Sequence, residues 1–348
     1  MRAAALRPTR IRLSASTACR LRCPSCANAR GEIAERLGEG FLRAEDLAGL
    51  LNASPWVREV EISGWGEPFL NPDMRTILEV ADRHGVALTA DNGTTFNDVT
   101  EEVLKALVEH RFRRVTCSID GASNGTYVKY RKGGDYDRVI ENVRRLSALK
   151  REAGSRYPKL TWQFVVFGHN EHEIGEARRL ASELGMVFRL KESWSRDLSP
   201  IGDEREVAAQ HTRAGTYRHS LKLRRPDWTA RVFCHQLWEE PQFNWDGRVL
   251  GCCCNNQSFF RGNVFTDGLE EVVNGEQLED VRGMLLGESE PLEGIPCTSC
   301  DVFLSMQASG HYLVRGVSRL LFLAARYVYN ELGVRRLRQS VAMPGVAT

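Results

Sequence analysis

The chain has 348 residues, 42% hydrophobic and 26% charged, enough for one large core and a smaller appended module and too ordinary a composition for disorder. Its 47 Lys and Arg stand against 45 Asp and Glu, a formal charge of +2, which excludes a broad basic surface for nucleic acid. Met1 to Arg10 carries three arginines with no apolar run or small-residue cleavage site behind them, so a cytoplasmic protein is expected, and its ten cysteines read as metal ligands or redox groups rather than a disulfide framework.

From Ile11 onward, short strand-like runs alternate with helical ones, the signature of a parallel sheet with crossover helices. Strands are predicted at Ile11 to Ser16, Val57 to Ser63, Val86 to Asp91, Arg114 to Asp120, Leu160 to Phe167 and Met186 to Lys191. Apolar residues at three-to-four spacing predict helices at Arg43 to Asn52, Pro72 to His84, Asp98 to His110, Tyr136 to Arg151 and Glu171 to Leu184. Six units are too few to close an eight-unit barrel. The expected fold class is therefore α/β, a partial (β/α)6 barrel with its chemistry at the C-terminal ends of the strands.

Ser193 to Arg231 is polar, basic and punctuated by proline, a bridge rather than a seventh unit, and a boundary is expected near Thr229. This divides the chain into a barrel domain with its bridge over 1–229, a cysteine-rich module over 230–310, and a terminal helix and tail over 311–348. The helical stretch from Gly310 to about Gln339 is broken by Arg315, Arg319, Arg326 and Arg335, so it is no membrane span. It is expected to pack on the barrel in preference to lying on a membrane surface or binding a partner.

Cys19, Cys23 and Cys26 form C-x3-C-x2-C just after the first predicted strand. Three thiolates do not complete a four-iron cluster, and an iron without a protein ligand is a place where a small molecule can coordinate. Buried thiols or a zinc site would account for the same spacing in isolation. The spacing and its place in a β/α chain resemble the radical S-adenosylmethionine (SAM) superfamily, in which the open iron chelates the amino and carboxylate groups of SAM.

Other segments extend the resemblance in the same order. Gly64, Gly66 and Glu67, in Gly64-Trp65-Gly66-Glu67-Pro68, are similar to the family's G-G-E-P loop, which receives the methionine amino group. Ser118 and Asp120, in Ser118-Ile119-Asp120-Gly121, resemble the S-x-D-G segment near the SAM ribose, and Asn92 stands where the third strand contributes a polar contact. Arg131 matches an arginine that pairs with the SAM carboxylate in relatives. Ser25 departs from the pattern, since many relatives carry an aromatic residue just before the third cysteine. Cys117, outside both groups, is expected to pack on the outer face of its strand.

The second group reads Cys234, Gly247-x4-Cys252 and Cys297-x2-Cys300, four thiols that complete a cluster. Four cysteines also suit structural zinc. Cys252, Cys253 and Cys254 run consecutively, so the ligand is ambiguous within the run; the offset from Gly247 favours Cys252, and strand alternation is expected to turn Cys253 away from it. Phe243 to Val249 reads as a hairpin with an Asp-Gly turn. The pattern resembles the SPASM module of the superfamily and its shortened form, twitch, as in an aminocyclitol dehydrogenase; Met306 and Gly310 stand where a full SPASM module continues with cysteines. The resemblance therefore implies two [4Fe-4S] clusters, one cleaving SAM through three cysteines and one auxiliary with four, together with SAM itself.

That family implies reductive cleavage of SAM to a 5′-deoxyadenosyl radical, with an external electron donor such as flavodoxin or ferredoxin. The auxiliary cluster is expected to accept the electron released as a small polar metabolite (a sugar, aminocyclitol or nucleoside intermediate) is oxidised. The chain begins 18 residues before Cys19, from which no N-terminal peptide-recognition domain is expected, so a small molecule is preferred to a peptide. The alternatives are a peptide maturase, an epimerase using Cys253 or Cys254 as hydrogen donor, and, more remotely, a non-catalytic iron-sulfur electron-transfer protein. Gln163, His169, His172, Lys191, Glu192 and Trp194 fall near the ends of strands five and six without an assignable role, and Asn170 is expected to cap the helix that follows it.

Overall fold

The computed structural model describes residues 5–193, 195–210 and 234–313. The expected boundary near Thr229, most of the bridge, Trp194 and nearly all of the terminal helical stretch lie outside the described residues.

All six predicted strands form: β1 (Arg10–Leu13), β2 (Glu59–Glu61), β3 (Ala87–Thr94), β4 (Arg114–Ser118), β5 (Lys159–Val166) and β6 (Val187–Glu192). Each pairs in parallel with the next. Helices cross over between them: α1 (Glu32–Leu37), α2 (Ala44–Ala53), α3 (Met74–Arg83), α4 (Glu101–Glu109), α5 (Asn124–Tyr130), α6 (Tyr136–Glu152) and α7 (Ile174–Glu183). Their starts follow from the sequence where a short polar side chain accepts a first-turn amide: Thr100 from Val103, Ser123 from Thr126 and Asp135 from Arg138. Asn170 does not cap its helix. It is wholly buried, accepting from the Phe167 amide at 2.7 Å and donating to the Asp120 and Val165 carbonyls, so it staples β4 to β5 instead.

The sheet does not stop at the barrel. β7 (Gln242–Phe243) pairs in parallel with β1, and β8 (Arg248–Gly251) and β9 (Phe260–Asn263) extend it antiparallel, giving the order β6-β5-β4-β3-β2-β1-β7-β8-β9. The expected hairpin is present, with Gly247 at φ +83° and the Asn244 amide bonded to the Arg248 carbonyl. It covers the edge of β1, whose unpaired amides would otherwise be left open. The cysteine-rich segment adds α8 (Gln236–Glu239), α9 (Leu269–Val273), α10 (Glu276–Leu285) and α11 (Asp301–Ser309). Among the described residues no helix is long and apolar enough to cross a membrane.

Alternation along the strands separates two environments. Ile11, Leu13, Val60, Ile62, Val115 and Cys117 are buried in one continuous core with apolar residues of the helices, such as Leu47, Ile77, Leu104 and Val143. The other parity is charged. Arg10 meets Glu59 at 2.6 Å, Arg114 meets Glu59 at 2.7 Å and Asp91 at 2.8 Å, and Arg12 meets Glu61 at 2.5 Å. Such a face is retained only if its charges are paired, because an isolated ion out of water is prohibitively costly.

Candidate active site

The strand ends and the cysteine-rich segment enclose one cavity of about 700 Å³. Cys19, Cys23 and Cys26 line it from the loop after β1. The cysteine loop is shaped by its own backbone, with the Cys26 amide bonded to the Cys23 carbonyl at 3.0 Å, and by Asn28, which donates to the Thr17 and Trp65 carbonyls at 2.6 and 2.7 Å. Asn28 therefore fastens the cysteine loop to the glycine-rich loop, a role its position two residues past Cys26 did not announce. Burial pushes the Cys19 thiol up to about 12, and it pushes Cys23 upward against the opposing charge of Arg131.

Gly64, Gly66 and Glu67 line the same cavity. A Cβ on Gly66 would stand 2.5 Å from the Ser16 carbonyl oxygen and 2.6 Å from the Thr17 carbonyl carbon, so only glycine lets this loop lie against the chain leading to Cys19. Glu67 is wholly buried, and its carboxylate is taken up by the Thr95 amide and, at 3.4 Å, the Phe69 amide. Burial pushes it up to about 7, the amide donors opposing. Asn92 sits on an irregularity where β3 slips against β4, and its side chain donates to the Ser63 carbonyl at 3.1 Å.

Ser118 and Arg131 also line the cavity, whereas Asp120 does not. Asp120 is fully buried, accepting from the Val165 amide at 2.7 Å and holding Arg131 at 2.6 Å. Arg131 in turn points Nη1 at the Cys23 sulfur, 3.7 Å away. Asp120 thus acts on the cavity through Arg131. Beside Ser25, where this chain lacks the aromatic residue of the family pattern, Tyr130 supplies a ring: its hydroxyl lies 2.7 Å from Ser25 Oγ, its ring centroid lies 4.4 Å from that of Phe167, and it lines the cavity. Only the fold brings residues 25 and 130 together, so sequence spacing could not reveal this.

Cys234, Cys252, Cys297 and Cys300 line the opposite part of the cavity, with Cys253 and Cys254 beside them. The consecutive run lies in a turn beyond β8, so the strand alternation expected to separate Cys252 from Cys253 does not govern it. Contacts separate them instead. Burial, then the charges of Cys252, Cys297, Cys300 and Cys253, hold Cys234 well above its usual value. Cys253 is gripped by Gln236, which accepts its amide at 2.7 Å and donates to its sulfur at 3.4 Å.

The donor set suits the cofactors in kind and number. Three thiols from one loop would leave an iron of a four-iron cluster without a protein ligand, beside backbone that glycine keeps open, and four of the further thiols would complete a second cluster. Among the described residues no three His, Cys, Asp or Glu side chains converge as ligands of a single ion; the thiols ring the cavity. Of the strand-end residues without assigned roles, Gln163 and Lys191 line the cavity, whereas His169 and His172 do not. His169 packs on Phe167 and meets Ser199 at 3.1 Å.

Comparison with known proteins matches this geometry. The family model of the radical SAM superfamily matches residues 13–181, and that of the SPASM iron-sulfur cluster-binding domain matches residues 234–301. GTP 3′,8-cyclase of Alkaliphilus metalliredigens is 27% identical over 199 residues, covering 56% of this chain and 57% of that protein, so the chain spans little more than half of that relative. The tungsten-containing aldehyde ferredoxin oxidoreductase cofactor-modifying protein of Pyrococcus furiosus is 27% identical over 300 residues, 79% of each chain. The crystal structure of Streptococcus suis SuiB bound to SAM shares the fold, with a TM-score of 0.59, 16% identity, and coverage of 85% of this chain and 71% of that one. The chain belongs to the radical SAM superfamily, with a C-terminal SPASM-type iron-sulfur domain, and its cofactors are [4Fe-4S] clusters and SAM.

Proposed function

We propose that this radical SAM enzyme oxidises a small polar metabolite at a carbon bearing a polar group, with the auxiliary cluster receiving the electron that leaves the substrate. The bound cluster and SAM supply one-electron cleavage of SAM and hydrogen-atom abstraction from a substrate C–H bond. Cys19, Cys23 and Cys26 hold the first cluster, Gly64 and Gly66 keep backbone open to the methionine part, Asn92 and Ser118 offer polar contacts, and Arg131 sets positive charge beside Cys23. Cys234, Cys252, Cys297 and Cys300 hold the auxiliary cluster. Gln163 and Lys191 present polar groups to the substrate.

One observation carries the proposal: thiols of both groups line a single cavity, so a substrate lying there is within reach of both centres. Two relatives support a small molecule, one named for a cyclase acting on GTP and one for modifying a cofactor. The electron donor is an external carrier of the flavodoxin or ferredoxin kind. No two of the ten cysteines are joined in a disulfide, and a cytoplasmic location is part of this proposal.

The test is anaerobic reconstitution, reduction in the presence of SAM, and assay of 5′-deoxyadenosine with pools of sugars, aminocyclitols and nucleosides. Substrate-dependent 5′-deoxyadenosine with a product two hydrogens lighter supports the proposal. A product isomeric with the substrate in H2O that gains one deuterium in D2O replaces oxidation with epimerisation, and turnover only on a precursor peptide replaces the substrate class.

A further inference from the structure

We propose that Arg12 is a positioning residue that ties the auxiliary cysteine segment to the loops lining the SAM side of the cavity, so that one buried guanidinium sets both halves of the site. Arg12 lies on β1 at 4% exposure and does not line the cavity. Its three nitrogens are divided between two parts of the molecule. Nη2 meets Glu61 Oε2 at 2.5 Å, while Nη1 meets Glu240 Oε2 at 3.6 Å and Nε donates to Gln242 Oε1 at 3.1 Å.

On the barrel side, the other Glu61 oxygen accepts the Ser63 and Asp91 amides, each at 3.0 Å, and the Ser63 hydroxyl. Ser63 Oγ then accepts the Asn92 amide at 3.0 Å. A single carboxylate therefore fixes the residue before Gly64 and the bulged end of β3 that carries Asn92. On the other side, the Glu240 amide donates to the Gln236 carbonyl at 3.0 Å, and the Gln236 side chain grips Cys253, the neighbour of Cys252. Glu61 and Glu240 are each 1% exposed, so neither can exchange Arg12 for water, and Glu240 also meets Arg10 Nη2 through Oε1 at 3.6 Å.

A buried fork of this kind has few alternative geometries, because leaving Glu61 separates charges in low dielectric and leaving Gln242 breaks a buried hydrogen bond. Displacing one end must therefore displace the other. The inference rests on the assignment of the Gly64 and Asn92 loops to SAM, and it holds whichever metabolite is oxidised.

The test uses the full chain with both clusters loaded, titrated with SAM while electron paramagnetic resonance follows each reduced cluster. Arg12→Lys keeps the buried cation and removes the fork. It is expected to weaken SAM binding about tenfold and to change the auxiliary-cluster spectrum as well, with iron content unchanged. SAM binding within about twofold of wild type, or a change at one cluster alone, overturns the proposal. Should Arg12→Lys fail to load iron, Gln242→Met, which keeps both ion pairs and removes only the Nε acceptor, must move both readouts in the same direction. A wild-type protein whose first cluster ignores SAM defeats the SAM assignment itself, an outcome distinct from a responsive wild type with an equally responsive Arg12→Lys.

Discussion

Cys19, Cys23 and Cys26 come from one short loop, whereas Cys234, Cys252, Cys297 and Cys300 come from three separated segments, yet both groups face the same cavity. Their supports differ as well. The loop of the first group is fastened by hydrogen bonds from Asn28 to the Thr17 and Trp65 carbonyls, at the ends of strands whose charges pair as Arg12 with Glu61 and Arg114 with Asp91. Around the second lie apolar side chains, with Leu237, Phe260, Leu285 and Phe303 lining the cavity beside the thiols. A loop that must stay open to a small molecule is held by directional contacts that fix backbone without filling space. A closed site is held by packing, which is non-directional and excludes water.

The largest effect should come from the thiols. Cys23→Ala is expected to lower iron from about eight to about four per chain and to abolish 5′-deoxyadenosine formation. Cys252→Ala should lose the other half of the iron while keeping SAM cleavage, and Cys253→Ala should keep the full content. Loss of SAM cleavage in Cys252→Ala would show that the two sites do not load independently and would break the comparison.

A smaller effect should come from the charged support. Arg114→Met takes the buried guanidinium away from the partly buried Asp91 while Glu59 keeps Arg10, and removing one member of a buried ion pair costs up to about 3–5 kcal/mol of folding stability. Urea unfolding of the apoprotein measures it; a change below about 1 kcal/mol would mean that this face is wet and its ion pairs behave as surface pairs.

The smallest of the three is a pH effect at Glu67. Burial raises its carboxyl from the usual 4.5 to about 7, so between those values the folded chain holds a proton that the unfolded chain has released. Stability is then fully present below 4.5 and falls as pH rises to about 7, by roughly 2–3 kcal/mol, levelling off above. Glu67→Gln keeps an acceptor for the Thr95 amide and should flatten this slope in unfolding measured from pH 4.5 to 8, as an order-of-magnitude range. An unchanged slope would assign the pH dependence to other groups.

The six parallel strands, their crossover helices and the C-x3-C-x2-C loop were legible because each is encoded within a few neighbouring residues: alternation with a period of two, helical periodicity, and ligands only three or four positions apart. The hairpin turn was legible for the same reason. Tertiary structure decided what depends on distant pairs. It joined the hairpin to β1 and gave Tyr130 to Ser25. It also set Asp120 behind Arg131 and gave Gln236 to Cys253. Side chains 100 residues apart carry no mutual signal in one sequence, because their contact is fixed by how strands stack and by which buried charges must find partners, and neither exists until the chain has folded.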